Sequence, residues 1–212
     1  DLRERGHDVL SVDLVRDAGP HGTTLAVDLT DLGQCHEVMA GADAVVHLAA
    51  IPAPGLRPEG ETFRNNILST YNVFSAAAAH RVSRLVWASS ETVLGLPFDT
   101  PPLFAPIDET IEPRPETSYA LAKLLGEEMI AQLHRKTGIP VVSLRISNIM
   151  EPEDYAAFPG FWADAQLRKW NLWSYVDVRD VAHSVRLGLE ADIDGAEVCI
   201  IAAADNVMTR PT

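Results

Sequence analysis

Cysteine and positive charge are both scarce in this chain, and each scarcity removes a class of function. Cys35 and Cys199 are the only cysteines among 212 residues, and both lie inside apolar stretches. Free thiols in a reducing, cytoplasmic setting are therefore expected rather than a disulfide, and no spacing suits a metal site of the zinc type. Lys and Arg number 17 against 30 Asp and Glu, for a formal net charge of -13. Proteins that displace counterions from nucleic acid or from an anionic membrane need a basic face, and no run of Lys or Arg is present to make one. A small-molecule partner is expected, with no nucleic acid and no membrane. Long apolar runs are missing as well. Stretches such as 196–204 fall well short of the roughly 20 residues that span a bilayer, and the amino terminus lacks the charged-then-apolar pattern of a signal peptide. Internal repeats and low-complexity tracts are also missing.

What is present is an alternation of short β-branched runs with longer helical patterns. Strands are expected at 8–12 (DVLSV), 24–27, 44–48 (AVVHL), 84–88 (RLVWA), 140–146 (PVVSLRI) and 197–202. Helices are expected at 31–40, capped by Thr30 and stopped before Gly41, and at 62–80, with Ile67, Tyr71, Phe74 and Ala78 on one stripe. A third is expected at 118–136, capped by Thr117 and carrying Leu121, Leu125, Met129 and Leu133, and a fourth at 178–190 after Asp177. Strands apolar on both faces, separated by helices, argue for βαβ crossovers and an α/β fold built on a doubly wound parallel sheet. The long irregular stretches 91–116 and 149–173 follow strand carboxyl ends, where open α/β sheets place ligands, and are expected to form a substrate lid. The chain opens at Asp1 rather than Met, and DLRERG at 1–6 reads as the last turn of a helix closed by Gly6, so a preceding segment is expected.

The chemistry gathers in SYALAK. Tyr119 and Lys123 stand at i and i+4, so on a helix their side chains share a face. A nearby ammonium favours the phenolate, which is expected to lower the phenol's pKa towards the range of a general base. The plain alternative is a tyrosine beside a solvated lysine. Ser89 and Ser90 directly follow RLVWA at the sheet's carboxyl edge. Ser90 is expected to meet the reacting oxygen, and Ser89 to satisfy the strand end. Asp13 closes DVLSV, where a carboxylate can hydrogen-bond the adenosine ribose of NAD and repel the 2′-phosphate of NADP; an ordinary turn aspartate, with Arg16 nearby, is the alternative. Asp28, in AVDLTD, suits an adenine contact and a plain turn equally.

Taken together these residues resemble the extended short-chain dehydrogenase/reductases, the family of NAD-dependent sugar epimerases and dehydratases. The resemblance rests on Asp13, Asp28-Leu29, HLAA at 47–50, NNILST at 65–70, ASSETVLG at 88–95, Tyr119-x-x-x-Lys123, LRISN at 144–148 and YVDVRDVA at 175–182. It implies a Rossmann-like fold and NAD as cofactor. Leu29, Leu48, Ala49 and Ala50 would line that cofactor, with Lys123 on the nicotinamide ribose. Ser90, Tyr119 and Lys123 would be catalytic, and Ser90, Glu91, Asn148 and Trp173 would face the substrate. Asn66 would support the active-site helix, or equally bend its own helix through a side-chain bond to the backbone.

The resemblance also implies homodimerisation through helices 62–80 and 118–136. It divides the chain into a dinucleotide-binding core, 1–148, and a short substrate lobe with the last strands, 149–212. The family's first strand and glycine-rich loop have no counterpart here, so an N-terminally truncated sheet is expected. Glu91-Thr92 stands where dehydratases carry Asp-Glu, which disfavours water elimination. Trp173 stands where nucleotide-sugar epimerases carry a diphosphate-gripping arginine, so uncharged packing is expected in place of an anion clamp. With the short 149–173 segment, the likeness is greatest to the uronate-dehydrogenase branch, whose substrates are free sugar acids. A dehydrogenase or epimerase of a sugar or sugar acid is the reading that follows. The alternatives are a nucleotide-sugar 4-epimerase or dehydratase and, in another class, a non-catalytic dinucleotide-binding sensor. Trp162, Trp170 and Trp173 suit either a sugar platform or lobe core, and Glu151, Glu153 and Asp154 suit solvated loop charge.

Overall fold

The computed structural model describes residues 1–19 and 22–209. The main sheet is parallel, in the order β4-β5-β6-β9, from Ala44–His47 (β4), Arg84–Ser90 (β5), Val141–Ile146 (β6) and Ala196–Ile201 (β9). Its strands alternate their side chains between two helical layers. Leu85, Trp87 and Val141 point to one face, where they pack with Val73, Phe74 and Ala77 of α2 (Glu59–His80) and Ile130 and Leu133 of α3 (Ser118–Thr137). Val86, Ala88, Val142 and Leu144 point to the other, against Val181 and Val185 of α4 (Val178–Glu190). Burial on both faces is what a parallel sheet wound on both sides requires, and the fold is α/β and Rossmann-like.

A second sheet of order β1-β3-β2 contains Ser11–Asp13 (β1), Asp17–Gly19 (β2) and Gly22–Ala26 (β3). β1 pairs with β3 in parallel and β2 pairs with β3 antiparallel; β2 had no periodic signal in the sequence. Among the described residues no strand links β1 to β4, and Leu25 of this smaller sheet is exposed, as are Leu10, Leu14 and Val15 on either side of β1. Residues 1–6 form a single 3-10 turn, Arg3–Arg5, rather than an α-helical end; Gly6, at φ 89°, closes it by donating its N–H to the Arg3 carbonyl.

Helix ends follow local chemistry. Thr117 caps α3 by accepting from Ala120 N, and Gly138, at φ 73°, ends it. Asp177 caps α4 through Arg179 N. For α1 (Leu32–Met39) the cap is Asp31 and not Thr30: the Asp31 carboxylate takes Gly33 N and Gln34 N, while the Thr30 hydroxyl is turned back onto Asp28.

The faces of α2 and α3 depart further from the pattern expected. Tyr71, Leu121 and Leu125 are exposed, and α3 instead buries Tyr119, Ala122, Lys123, Gly126, Glu127 and Ile130. The inward face of α3 lies over the polar carboxyl end of β5, so it carries small and polar groups where a purely apolar core would want leucine. The lobe between β6 and α4 contains two 3-10 segments, Asp154–Phe161 and Ala165–Asn171, around a two-stranded pair β7 (Ile149–Met150) and β8 (Val176–Asp177).

Candidate active site

β5 runs two residues further than its apolar pattern, so Ser89 and Ser90 are its last rungs, paired with Arg145 and Ile146 of β6. Ser89 and Trp87 share the face covered by α3. Ser89 Oγ donates to Glu127 Oε1 at 2.6 Å, and Glu127 in turn accepts from Arg145 Nε at 3.0 Å and, through Oε2, from Arg145 Nη2 at 2.8 Å. This buried ion pair fixes α3 in rotation and height against β5 and β6. Lys123, one turn before Glu127, reaches the same strand, and its ammonium donates to the Ala88 carbonyl at 2.5 Å.

Ser90, Tyr119 and Lys123 are all buried, and they come together at the carboxyl end of β5. Lys123 Nζ lies 5.7 Å from the centre of the Tyr119 ring. The Ser90 oxygen accepts from Thr92 N at 3.2 Å and from Thr92 Oγ1 at 3.1 Å. A hydroxyl has two acceptor positions and one proton, so these bonds leave that proton for a further acceptor, and the Ser90 hydroxyl is near enough to Tyr119 to favour its ionised form. Thr92 was not singled out from the sequence; it orients the serine.

The acid–base states differ from the expectation. Burial pushes the Tyr119 phenol above its ordinary value, and the Ser90 hydroxyl works in the opposite direction without prevailing. Lys123 does not lower it as the i,i+4 spacing had suggested. Burial instead brings the Lys123 ammonium down to about 8, because a low-dielectric site disfavours its charge. His47, buried beside Lys123 and near the Thr70 hydroxyl at 3.4 Å, is held neutral, its pKa lowered to about 3 by burial first and the lysine's charge second.

The remaining candidates are dispersed. Asp13, at the end of β1, is exposed and accepts only from Val15 N, at 3.3 Å, among the described residues. Asp28 has one carboxylate oxygen on Thr30 N at 2.8 Å and Thr30 Oγ1 at 2.6 Å, which is the turn arrangement. The Leu29 carbonyl accepts from Asn72 Nδ2 at 3.0 Å, while its side chain packs on the core. Leu48 is exposed, with Ala49 and Ala50 half-buried beside it after β4. Asn66 uses its amide on neither its own helix backbone nor α3: Oδ1 accepts from Ile51 N at 2.8 Å and Nδ2 donates to Ile51 O at 3.0 Å, clamping the loop that carries Leu48, Ala49 and Ala50.

Glu91 and Asn148 sit in a separate buried polar cluster under the lobe. Glu91 Oε2 accepts from Ser147 Oγ at 2.6 Å, and the nearby Asn171 side chain and Asn148 N–H also favour the ionised carboxylate. Burial still raises Glu91 to about 7, against the lowering effect of these groups and of Arg168. With its amide oxygen turned towards Arg168, Asn148 accepts from both terminal guanidinium nitrogens at 3.2 Å. Arg168 is buried with its guanidinium 5.3 Å from the Phe161 ring and 5.2 Å from the Trp170 ring. The sequence had suggested uncharged packing here. A cation is present, but it enters from a 3-10 segment that no periodicity announces. Trp173 turns its indole N–H to the Ala165 carbonyl at 2.8 Å and packs in the lobe core with Met150 and Tyr175.

The fold is Rossmann-like, with Ser90, Tyr119 and Lys123 buried at one strand's carboxyl end. The chain belongs to the NAD dependent epimerase/dehydratase family, whose profile matches residues 1–201. It is similar to the NAD-dependent glucose-6-phosphate dehydrogenase of Haloferax volcanii, 29% identical over 205 residues that cover 92% of this chain and 73% of that protein. It is also similar to the uronate dehydrogenase of Pseudomonas syringae pv. tomato, 33% identical over 141 residues covering 64% of this chain and 48% of the relative. The chain thus matches about half the length of that uronate dehydrogenase. Among solved structures, a mutated uronate dehydrogenase superposes with a TM-score of 0.78 at 27% identity, covering 98% of this chain and 69% of the other.

Proposed function

We propose that the protein is an NAD-dependent oxidoreductase acting on a hydroxyl-bearing carbon of a sugar or sugar acid. The observation that carries this reading is the buried meeting of the Ser90 hydroxyl, the Tyr119 phenol and the Lys123 ammonium at the end of β5. The residues present fit NAD. The Lys123 ammonium has three N–H donors and gives one to Ala88, among the described residues, which leaves donors for a ribose diol. Asp13 keeps a free carboxylate oxygen suited to the other ribose and adverse to a 2′-phosphate, so NAD is favoured over NADP. Leu48, Ala49 and Ala50, held by the Asn66 clamp, offer an apolar wall. Bound NAD supplies the acceptor for the hydride that leaves the carbinol carbon.

In the forward direction Tyr119 Oη takes the proton of the substrate hydroxyl as that carbon becomes a carbonyl. Ser90, its lone pairs engaged by Thr92, donates its proton to the reacting oxygen and holds it beside the phenol. Burial raises the phenol, so the resting group is the neutral acid; before it accepts the substrate proton it releases its own, and the phenolate so formed has the Lys123 ammonium 5.7 Å from its ring centre. A sugar acid is favoured as substrate by the short 149–173 segment and by the uronate dehydrogenases among the relatives. The exposed Leu68, Tyr71, Leu121 and Leu125 on α2 and α3 support a homodimer formed through these helices, with light scattering at monomer mass as the contrary result. The two free cysteines fit a cytoplasmic setting.

The test is to incubate protein expressed from its complete reading frame with NAD and a panel of uronates, aldoses and sugar phosphates, following NADH. Accumulating NADH with one class is the result expected. A changed configuration with flat NADH would identify an epimerase, and NAD binding without turnover of any sugar would identify a sensor.

A further inference from the structure

The indole of Trp87 is the largest fully buried side chain among the described residues, and it lies beneath α3 directly beside the proposed catalytic centre. Lys123 Nζ stands 5.1 Å from the centre of that ring. Its neighbours are set by aromatic packing: Phe74 meets Trp87 edge-on at 5.9 Å, and His47 meets Phe74 edge-on at 6.2 Å. α3 can lie this close only because Gly126 has no side chain. A Cβ there would fall 2.3 Å from one Trp87 ring atom and 2.6 Å from another. Helix and strand therefore meet through a sequence of matched steps, with Lys123 beside the indole, Gly126 over its six-membered ring and Glu127 on Ser89.

We propose that Trp87 is a positioning residue for Lys123, its indole face holding the lysine's ammonium in the buried site, with Gly126 as the gap that admits the indole. An aromatic face attracts a cation most strongly where water is excluded, and apart from Tyr119 the protein gives this ammonium only the Ala88 carbonyl and the indole, among the described residues. The other titratable and charged groups around it do not replace the indole. His47 on β4 is neutral, Tyr119 on α3 is in its acid form, and Glu127 on α3 is committed to Arg145 of β6 and to Ser89. Without the indole the charged form of Lys123 loses a stabilising contact, and its pKa, already lowered by burial, falls further.

The inference rests on the catalytic reading for its meaning but not for its test, because tryptophan emission reports the contact without turnover. In the wild-type protein, emission is expected to change with pH around a midpoint near 8, where the neighbouring ammonium loses its charge. That transition should be missing in both Lys123→Met and Trp87→Phe, and either variant alone suffices if the other does not fold. In Trp87→Leu the pH at which turnover loses its dependence on the Lys123 charge should move down by about one unit. A wild-type emission curve flat between pH 7 and 9, or a transition that survives in Lys123→Met, would overturn the assignment. Loss of turnover in all proteins with the transition intact would instead strike the catalytic reading and leave this contact standing.

Discussion

Glu91 and Ser147 lie 56 residues apart in sequence and share a 2.6 Å hydrogen bond at the carboxyl ends of β5 and β6, next to Ser90. That bond anchors a carboxylate that is buried and therefore prefers its proton. Its pKa stands near 7 in the folded protein against 4.5 unperturbed. The folded state binds the proton more tightly than the unfolded state, so the associated stability is fully present below about pH 4.5 and is lost as pH rises through 7.

Glu91→Gln should remove this dependence. The variant is expected to be more stable than wild type at pH 8 by up to about 3 kcal/mol and close to wild type at pH 5, as read by chemical unfolding at the two values. Arg168→Met, which takes away the nearest cation, should destabilise more at pH 8 than at pH 6. Equal effects of each substitution at both values would contradict a titrating Glu91.

Gly126→Ala forces a methyl group into the Trp87 ring. Overpacking of this kind costs about 1–3 kcal/mol, and thermal or urea unfolding should show it. Trp87→Phe removes the atoms that clash, so the double substitution should cost less than the sum of the two single ones. Strict additivity would mean that α3 shifts freely and that the close approach is not a constraint.

The Glu127–Arg145 pair is buried on both sides and bidentate. Removing one member leaves an uncompensated charge, so Arg145→Met should destabilise by roughly 3–5 kcal/mol. Replacing both residues with methionine should cost less than Arg145→Met alone. A double variant less stable than the single one would mean that the pair contributes net stability beyond neutralising itself.

Much of this architecture is legible in the sequence because it is local. Thr117 and Asp177 announce their helices through cap chemistry, and β5 and β6 announce themselves as continuous apolar runs. The pairing of Tyr119 with Lys123 needs only the helical repeat, and Ser90 only its place after a strand. What stayed hidden depends on partners distant in the chain. Periodicity assigned Leu121 and Leu125 to the core, whereas α3 turns Gly126 and Glu127 inward because Trp87 and Ser89 require them. Arg168 comes from a 3-10 segment without periodic signature, and its meeting with Asn148 and Glu91 exists only in three dimensions. The direction of the Tyr119 shift was hidden for the same reason: spacing reveals a neighbouring charge but not the depth of burial that outweighs it.

The most direct test of the account is Tyr119→Phe compared with wild type, measured as NAD binding by calorimetry alongside NADH formation on the preferred sugar. Loss of one hydroxyl should leave the affinity for NAD within a few-fold and lower turnover by about 10²- to 10⁴-fold, the range of a lost general acid–base group. A variant that binds NAD and turns over at the wild-type rate would show that the phenol carries no proton and would contradict the mechanism.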